Sequence, residues 1–150
     1  MKGIYIIVFI LLLLFGVLSC TKSIPHHHVS FQSKPCIKPL AAFQYVTCGD
    51  LKVNIDDHII IVNKGFRTDL ASIPKPLWSF ISPMQSGYVY PAILHDFLYA
   101  GVFDITRKEA DQIFYDALLF EGASGFTANK MWLAVRLFGG RAYKEHEAIE

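Results

Sequence analysis

The run His95-Asp96-Phe97-Leu98-Tyr99 decides how this sequence folds. It lies within Val89–Ala100, where nearly all the other residues are hydrophobic or aromatic, and this pattern predicts a helix that is buried on most of its sides. A histidine and an aspartate in such a helix are costly unless they find hydrogen-bonding or charged partners, or a metal ion.

A second predicted helix follows directly. Thr106-Arg107-Lys108-Glu109 has the pattern of a capping box, in which the threonine side chain accepts a hydrogen bond from the backbone three residues later. The helix should begin there and run to about Glu121, where Gly122 ends it.

This second helix supplies a carboxylate to the core. Helical spacing places Asp111 in line with Phe114 and Leu118, on the apolar side, and leaves Asp116 pointing away. We therefore expect Asp111 to lie within hydrogen-bonding reach of His95. A histidine and two acidic residues that two helices bring into one core are typical of a general-base site or a metal site.

The residues before and after these helices set the fold class. Phe43–Val46, Leu51–Ile55 and His58–Val62 are predicted short strands, and Asp56-Asp57 fits a tight turn between the last two. The sequence thus predicts an α+β fold, with a small N-terminal β-hairpin layer followed by a helical half.

A third helix completes the helical half. It should begin at Thr127 or Asn129 and end at Phe138, before two glycines. Trp132, Val135 and Phe138 form its apolar stripe.

The N-terminus predicts where the protein is located. Met1-Lys2 precedes an apolar run, Ile4–Val17, which is short for a membrane span and suits a signal peptide. The run ends at Ser19-Cys20, which resembles the lipobox of bacterial lipoproteins, so residues 1–19 should be cleaved and Cys20 lipidated. An uncleaved N-terminal anchor is the alternative. Both predict an extracytoplasmic protein held at a membrane, and since Thr21 is not aspartate, at the outer one if there are two.

The rest of the chain should form a tether and one domain. Residues 20–35 contain three adjacent histidines, His26 to His28, and little apolar periodicity, so we expect a flexible tether. These histidines are more often a polar spacer than a metal site. Residues 36–150 suit a single globular domain. In an oxidising compartment Cys36 and Cys48 are expected to form a disulfide.

Charge excludes some partners. The net charge of +1 favours neither nucleic-acid binding nor electrostatic capture by anionic lipid.

Four spaced motifs resemble one known family. They are Gly65 through Pro74, Pro91–Tyr99, Ala110–Phe114 and Ala134–Gly139. Together they are similar to the domain of unknown function 1353 family of bacteriophages and bacteria, over most of residues 43–140. This resemblance implies a family but no activity.

A second, local resemblance implies a chemistry. One helix carries His-Asp-x-x-Tyr, and the next carries an aspartate followed by an aromatic residue. This arrangement is similar to secreted phospholipase A2, above all to its small bacterial and fungal members. The resemblance implies a three-helix, phospholipase A2-like helical half. It also implies that His95 is the base that activates a water, that Asp111 orients His95, and that Tyr99 fixes Asp111.

The same resemblance implies a calcium cofactor. Asp96 would be one ligand, and Asp69 with the carbonyl of Leu70 would complete the site. The substrate would then be a phospholipid ester. The glycine- and cysteine-rich calcium loop of the animal enzymes is absent from residues 68–76.

Two alternatives remain at this point. His95 and Asp111 could be a buried pair that only fixes helix packing. The protein would then act by binding, as a surface lipoprotein in phage superinfection exclusion or in contacts with an envelope or phage protein. Exposed aromatic residues near Trp78, Phe80, Tyr88 and Tyr90 would form the binding surface.

Overall fold

The computed structural model describes residues 25–42, 44–70 and 87–147, with side chains to residue 143. In these residues, strands come first and helices follow. The strands are β1 (Val29–Phe31), β2 (Ile37–Ala41), β3 (Gln44–Thr47), β4 (Leu51–Ile55), β5 (His58–Val62) and β6 (Arg67–Thr68). The helices are α1 (Val89–Tyr99), α2 (Arg107–Phe120), α3 (Gly125–Phe138) and α4 (Gly140–Glu147). The fold is α+β, as the sequence predicted.

The strands form two antiparallel sheets of three strands each, β1-β4-β5 and β2-β3-β6. The predicted β4–β5 hairpin is present, and Ile55 pairs with His58 across a two-residue turn. Asp56 and Asp57 in this turn have φ angles of 49° and 69°. Positive φ at both positions gives the turn the twist that a two-residue hairpin needs, and aspartate tolerates it better than most residues.

The prediction of a flexible tether over residues 20–35 is wrong for residues 25–35, which the structure describes. Val29 and Phe31 pair with Ile55 and Val53 of β4, and Val29 is buried. The short segment β1 pairs with β4, because β4 would otherwise present an open edge on this side of the sheet. The domain therefore includes residues before 36, and residues 1–24 lie outside the described part.

The three histidines also belong to the domain rather than to a spacer. His26 Nδ1 lies 2.6 Å from Asp116 Oδ1, and His27 Nδ1 lies 2.6 Å from Asp56 Oδ2. The backbone N–H of His28 donates to Asp56 over 2.7 Å. This backbone bond, and then the His27 side chain, hold the pKa of Asp56 below its usual range.

The expectation that Asp116 points away from the core was also wrong. Its residue is only 7% exposed, because the segment before β1 crosses α2 and covers it. The backbone N–H of His27 donates to Asp116 Oδ2 over 2.8 Å, so the carboxylate is buried with partners. The helical periodicity of α2 alone could not predict a neighbour that comes from 90 residues earlier in the chain.

The Cys36–Cys48 disulfide is confirmed. It lies next to the pair Ile37 and Thr47, at one end of the β2–β3 ladder. The backbone N–H of Cys48 also donates to the carbonyl of Cys36 over 3.0 Å. The disulfide thus joins the two ends of this hairpin, as expected from the even cysteine pair.

Hydroxyl groups cap the starts of α2 and α3. Thr106 accepts a hydrogen bond from the backbone N–H of Glu109 over 3.2 Å, which confirms the predicted start of α2. α3 begins earlier than expected, because Ser124 accepts from the backbone N–H of Thr127 over 3.2 Å and caps it.

The buried face of α3 differs from the predicted stripe. Ala128, Met131, Ala134 and Val135 face the core, whereas Phe138 is 47% exposed. Small side chains allow α3 to approach its neighbours closely, so the helix packs on alanines instead of on its aromatic residues. Of the three residues in the predicted stripe, Val135 alone is fully buried.

One hydrophobic core joins the β4–β5 hairpin to the helices. β1 packs against α2, and α2 lies between α1 and α3. The central position of α2 explains how a residue in its middle can contact side chains from both neighbouring helices. Within the described ranges, no helix has the length and hydrophobicity required to cross a membrane.

Candidate functional site

Asp111 on α2 is the centre of a buried polar cluster. Its Oδ1 atom accepts hydrogen bonds from Nε2 of His95 over 2.8 Å and from the hydroxyl of Tyr99 over 2.5 Å. Its Oδ2 atom accepts from Nη1 of Arg136 over 2.7 Å. The carboxylate therefore connects α1, α2 and α3. The sequence predicted the first two partners and missed the arginine.

His95 is fully buried in this cluster. Its ring lies between Tyr99, one turn later on α1, and Phe114 on α2, with centroid distances of 4.0 and 4.8 Å. If the ring is neutral, its hydrogen is on Nε2, because that atom faces a carboxylate. Nδ1 then presents a lone pair, and it has no hydrogen-bond partner in the part of the chain that the structure describes. It is the atom that could accept a proton.

The cluster keeps Asp111 ionised. Burial would raise the pKa of this carboxyl, but the hydrogen bonds and charges of His95, Tyr99 and Arg136 outweigh burial and hold the pKa below its usual range. Tyr99 shifts in the opposite sense. Burial, followed by the adjacent Asp111 carboxylate, raises the pKa of its hydroxyl well above the ordinary value, so Tyr99 remains a hydrogen-bond donor.

Arg107 holds the end of α3 against this cluster. Its Nη2 atom donates to the carbonyls of Val135 and Arg136 over 2.8 and 2.6 Å, and its Nε atom donates to the Tyr99 hydroxyl over 3.2 Å. A cation that binds the last carbonyls of a helix also complements the helix dipole. Arg107 is four residues before Asp111, a spacing that could have indicated the pair from sequence.

The glycine after α3 provides space for this arrangement. A β-carbon at Gly139 would lie 2.7 Å from the carbonyl oxygen of Val135 and 3.1 Å from the hydroxyl of Tyr99. The φ angle of Gly139 is −71°, so the requirement is steric and not conformational. The sequence indicated only that this glycine ends the helix.

Asp96 points to a different side of α1 from His95. It is partly buried, and one of its oxygens accepts a short hydrogen bond from the hydroxyl of Thr68 on β6. The same hydroxyl accepts from the backbone N–H of Leu70 over 2.9 Å. Leu70 has a φ angle of 62°, a left-handed conformation that costs about 1–2 kcal/mol for a leucine. Thr68 thus fixes the loop that carries Asp69 beside α1.

A surface cavity of about 340 Å³ is lined by two of the three predicted calcium ligands, the carboxylates of Asp69 and Asp96, and not by Leu70. Asp69, Asp96 and Thr68 all line it, as does Tyr99 from the buried cluster. Two carboxylates and a hydroxyl are suitable ligands for a hard cation such as calcium. Arg67 lines the same cavity and would oppose a cation there. His95 is not among the lining residues.

The described residues contain no group of three or more histidine, cysteine and acidic side chains that could hold a metal ion. A calcium site here would therefore need backbone carbonyls and water in addition to Asp69 and Asp96. The predicted carbonyl ligand belongs to Leu70, whose side chain is buried in the core while its backbone follows Asp69 in the loop. The oxygen donors fit calcium in kind, and the carboxylates alone do not complete the site.

The comparison with known families gives a clear assignment. Residues 47–135, more than half of the chain, match the family model described as Protein of unknown function (DUF1353). The chain belongs to this family. The matched range includes His95, Asp96, Asp111, Tyr99 and Asp69, whereas β1 and the arginine from α3 lie outside it.

Two curated relatives come from Sinorhizobium fredii. The uncharacterized protein y4iH is 40% identical over 80 residues, which are 53% of this chain and 33% of the relative. The uncharacterized protein y4jT is 32% identical over 79 residues, or 52% of this chain and 23% of the relative. The chain thus spans a third or less of each relative. No solved structure matches the chain.

Proposed function

We propose that this DUF1353 protein is a lipid-anchored, calcium-dependent ester hydrolase that acts on phospholipids in the manner of phospholipase A2. The observation that carries this proposal is the orientation of His95. Nε2 is held by Asp111, Nδ1 has no partner in the described residues, and the next residue, Asp96, faces an open cavity with Asp69. Adjacent residues of one helix thus provide a base, His95, and a carboxylate that lines an oxygen-rich cavity, Asp96. Hydrolysis of an ester by a metal-assisted water uses both groups.

The chain's own groups account for the proton transfer. A water molecule attacks the ester carbonyl and gives its proton to Nδ1 of His95, and the leaving alkoxide later takes that proton. Asp111 stabilises the imidazolium that forms, because its low pKa keeps it ionised throughout. Tyr99 and Arg136 keep this carboxylate in place. Because His95 is fully buried, water must reach Nδ1 through a local movement of its surroundings.

Asp96 and Asp69 would hold the calcium ion, together with the carbonyl of Leu70 and water. When bound, calcium would polarise the ester carbonyl and stabilise the oxyanion. Thr68 supports this arrangement, since its hydroxyl binds both Asp96 and the backbone of Leu70.

The proposed substrate follows from the N-terminus. A lipid on Cys20 would hold the domain at a bilayer, where phospholipid is abundant. Both Cys20 and the preceding apolar run lie outside the described residues, so the lipoprotein assignment rests on the sequence pattern and on the domain that follows it. We also propose that the protein belongs to a phage-encoded branch of the family, because the motifs resemble a family that occurs in bacteriophages and bacteria.

A second candidate function is binding without catalysis. It is favoured by the complete burial of His95 and by Arg136, because a carboxylate on α2 with hydrogen-bond partners on α1 and α3 can serve packing alone. The protein would then act as a surface lipoprotein, in phage superinfection exclusion or in contacts with an envelope or phage protein. Tyr88 and Tyr90 are partly buried against the core, and Trp78 and Phe80 lie outside the described residues.

Fatty-acid release separates the two candidates. The mature lipoprotein, purified in detergent, is mixed with phospholipid vesicles in calcium or in a calcium chelator. The hydrolase proposal expects calcium-dependent release that His95→Gln abolishes. If the unaltered protein releases no fatty acid and His95→Gln lowers only its thermal stability, the hydrolase proposal is wrong and the His95–Asp111 pair serves packing.

A further inference from the structure

An exposed apolar stripe follows the outer side of α3. We define the α3 outer face by Phe126, Asn129, Lys130, Leu133 and Leu137, which fall within about 100° of one another around the helix. Phe126, Leu133 and Leu137 are 73%, 50% and 65% exposed. Large apolar side chains at this spacing and exposure are unusual on a soluble surface and mark an interaction site.

The segment that carries this stripe is basic. Residues 122–144 contain four basic residues and no acidic residue, although the chain as a whole has a net charge of only +1. Arg136 is engaged with Asp111, whereas Lys130 is exposed on the outer side of the helix. The Nζ atom of Lys130 lies 4.7 Å from the centroid of the Phe126 ring, so the two side chains form a cation–π contact on the α3 outer face. A helix with apolar and basic residues on its outer side is suited to the headgroup region of an anionic bilayer.

The N-terminal segment approaches the same end of the helical layer. His26 binds Asp116 on α2, and the exposed Leu119 and Phe120 follow one turn later. Phe126 then opens α3 after a short loop. Cys20 is six residues before His26, a span of at most about 20 Å. A lipid on Cys20 would therefore be tethered within about 20 Å of His26, a distance within which the apolar surface can be reached.

We propose that the α3 outer face docks on the surface of an anionic phospholipid bilayer and orients the domain there. This inference rests on the proposed lipid anchor at Cys20, but not on hydrolysis. Phe126, Leu133 and Leu137 enter the headgroup boundary, and Lys130 contacts lipid phosphates. The stripe from Phe126 to Leu137 is about 16 Å long, so α3 lies parallel to the membrane.

A fluorescent label tests this orientation. With Cys20 lipidated and Cys36 bonded to Cys48, Asn129→Cys supplies a free thiol in the centre of the α3 outer face. The mature lipoprotein is labelled with an environment-sensitive dye and reconstituted into vesicles of phosphatidylethanolamine with phosphatidylglycerol. We expect a blue-shifted, brighter emission, which falls when the phosphatidylglycerol is replaced by phosphatidylcholine or when salt is raised. A label at Lys52→Cys, exposed on β4, should keep the emission of a dye in water.

Two sets of variants test which side chains dock. Phe126→Ser with Leu137→Ser should return the label at residue 129 to its aqueous emission, and Lys130→Glu should lower the docked fraction by at least about fivefold. The matched control is Ile59→Ser with Ile61→Ser, which removes apolar side chains that are 61% and 41% exposed on β5 and should leave the emission unchanged.

The outcomes separate this inference from the proposed anchor. An unlipidated mature chain, seen by mass spectrometry, would show that the anchor is absent. An anchored protein whose label at residue 129 is as aqueous as the label at residue 52 would overturn the docking proposal. A shift that requires native envelope vesicles and is absent from protein-free vesicles would also overturn it, because the occupant would then be a protein.

Discussion

Nε2 of His95 lies 2.8 Å from Oδ1 of Asp111, and both side chains are fully buried. The two residues are 16 positions apart and sit on different helices, so this bond fixes how α1 packs on α2. Arg136 extends the contact to α3. The same interaction therefore supports the fold and positions the atom that could act as a base.

Removing the Asp111 charge should destabilise the protein strongly. Asp111→Asn keeps the shape of the side chain but removes the ionic partner of Arg136 and an acceptor of the buried His95 and Tyr99 donors, which typically costs roughly 1–3 kcal/mol. The free energy of unfolding from urea titration measures this loss. Asp69→Asn is the matched control, since Asp69 is exposed, and it should change stability by less than about 0.5 kcal/mol. Equal stability of the two variants would contradict the structural role of Asp111.

The pH dependence of stability follows from the same carboxylate. The folded-state pKa of Asp111 lies below its usual value of about 3.9, so Asp111 contributes stability above that pH and loses it as the pH falls through the folded pKa. Thermal unfolding measured between pH 7 and pH 2.5 should show this loss at the acid end. In Asp111→Asn the acid dependence should be shallower. An unchanged slope would mean that other carboxylates dominate acid unfolding.

Local pattern predicted the elements that depend on neighbouring residues. The β4–β5 hairpin, the capping box at Thr106 and the pairing of His95 with Asp111 follow from turn chemistry, hydroxyl caps and helical spacing. β1, β6 and the burial of Asp116 depend on contacts between distant segments. Such contacts leave no periodic pattern of hydrophobic residues in a single sequence. Arg136 was missed for the same reason, because a lone cation on an amphipathic helix normally faces solvent.

Gly139 offers a steric prediction with an internal control. In Gly139→Ala the new β-carbon would collide with the carbonyl of Val135 and crowd the Tyr99 hydroxyl, so the end of α3 must shift. We expect a loss of about 1–3 kcal/mol in the free energy of unfolding. Gly125→Ala places its β-carbon in open space at the first turn of α3 and should be neutral or slightly stabilising. A stable Gly139→Ala protein would show that Arg107 and Tyr99 do not hold this corner rigidly.

Processing at Cys20 tests the proposed lipoprotein. Since the apolar core ends at a small residue followed by this cysteine, Cys20→Ser should accumulate as an unprocessed precursor that carries no lipid. Labelling of cells with radioactive palmitate, followed by gel electrophoresis, reports both changes. Cys36→Ser with Cys48→Ser is the control and should remain processed and lipidated. A Cys20→Ser protein that is cleaved normally and released in soluble form would exclude the anchor.

The proposed chemistry makes different demands on adjacent residues of α1. His95→Gln should abolish fatty-acid release while calcium still binds, because the base is lost and the cavity that Asp69 and Asp96 line is unchanged. Asp96→Asn should lose calcium binding, measured by titration calorimetry, together with activity. Its thermal stability should fall less than that of His95→Gln, since Asp96 is only partly buried and the amide can still accept from Thr68. If Asp96→Asn binds calcium as tightly as the unaltered chain, the ion does not occupy this cavity. The hydrolase proposal would then lose the group that polarises its substrate.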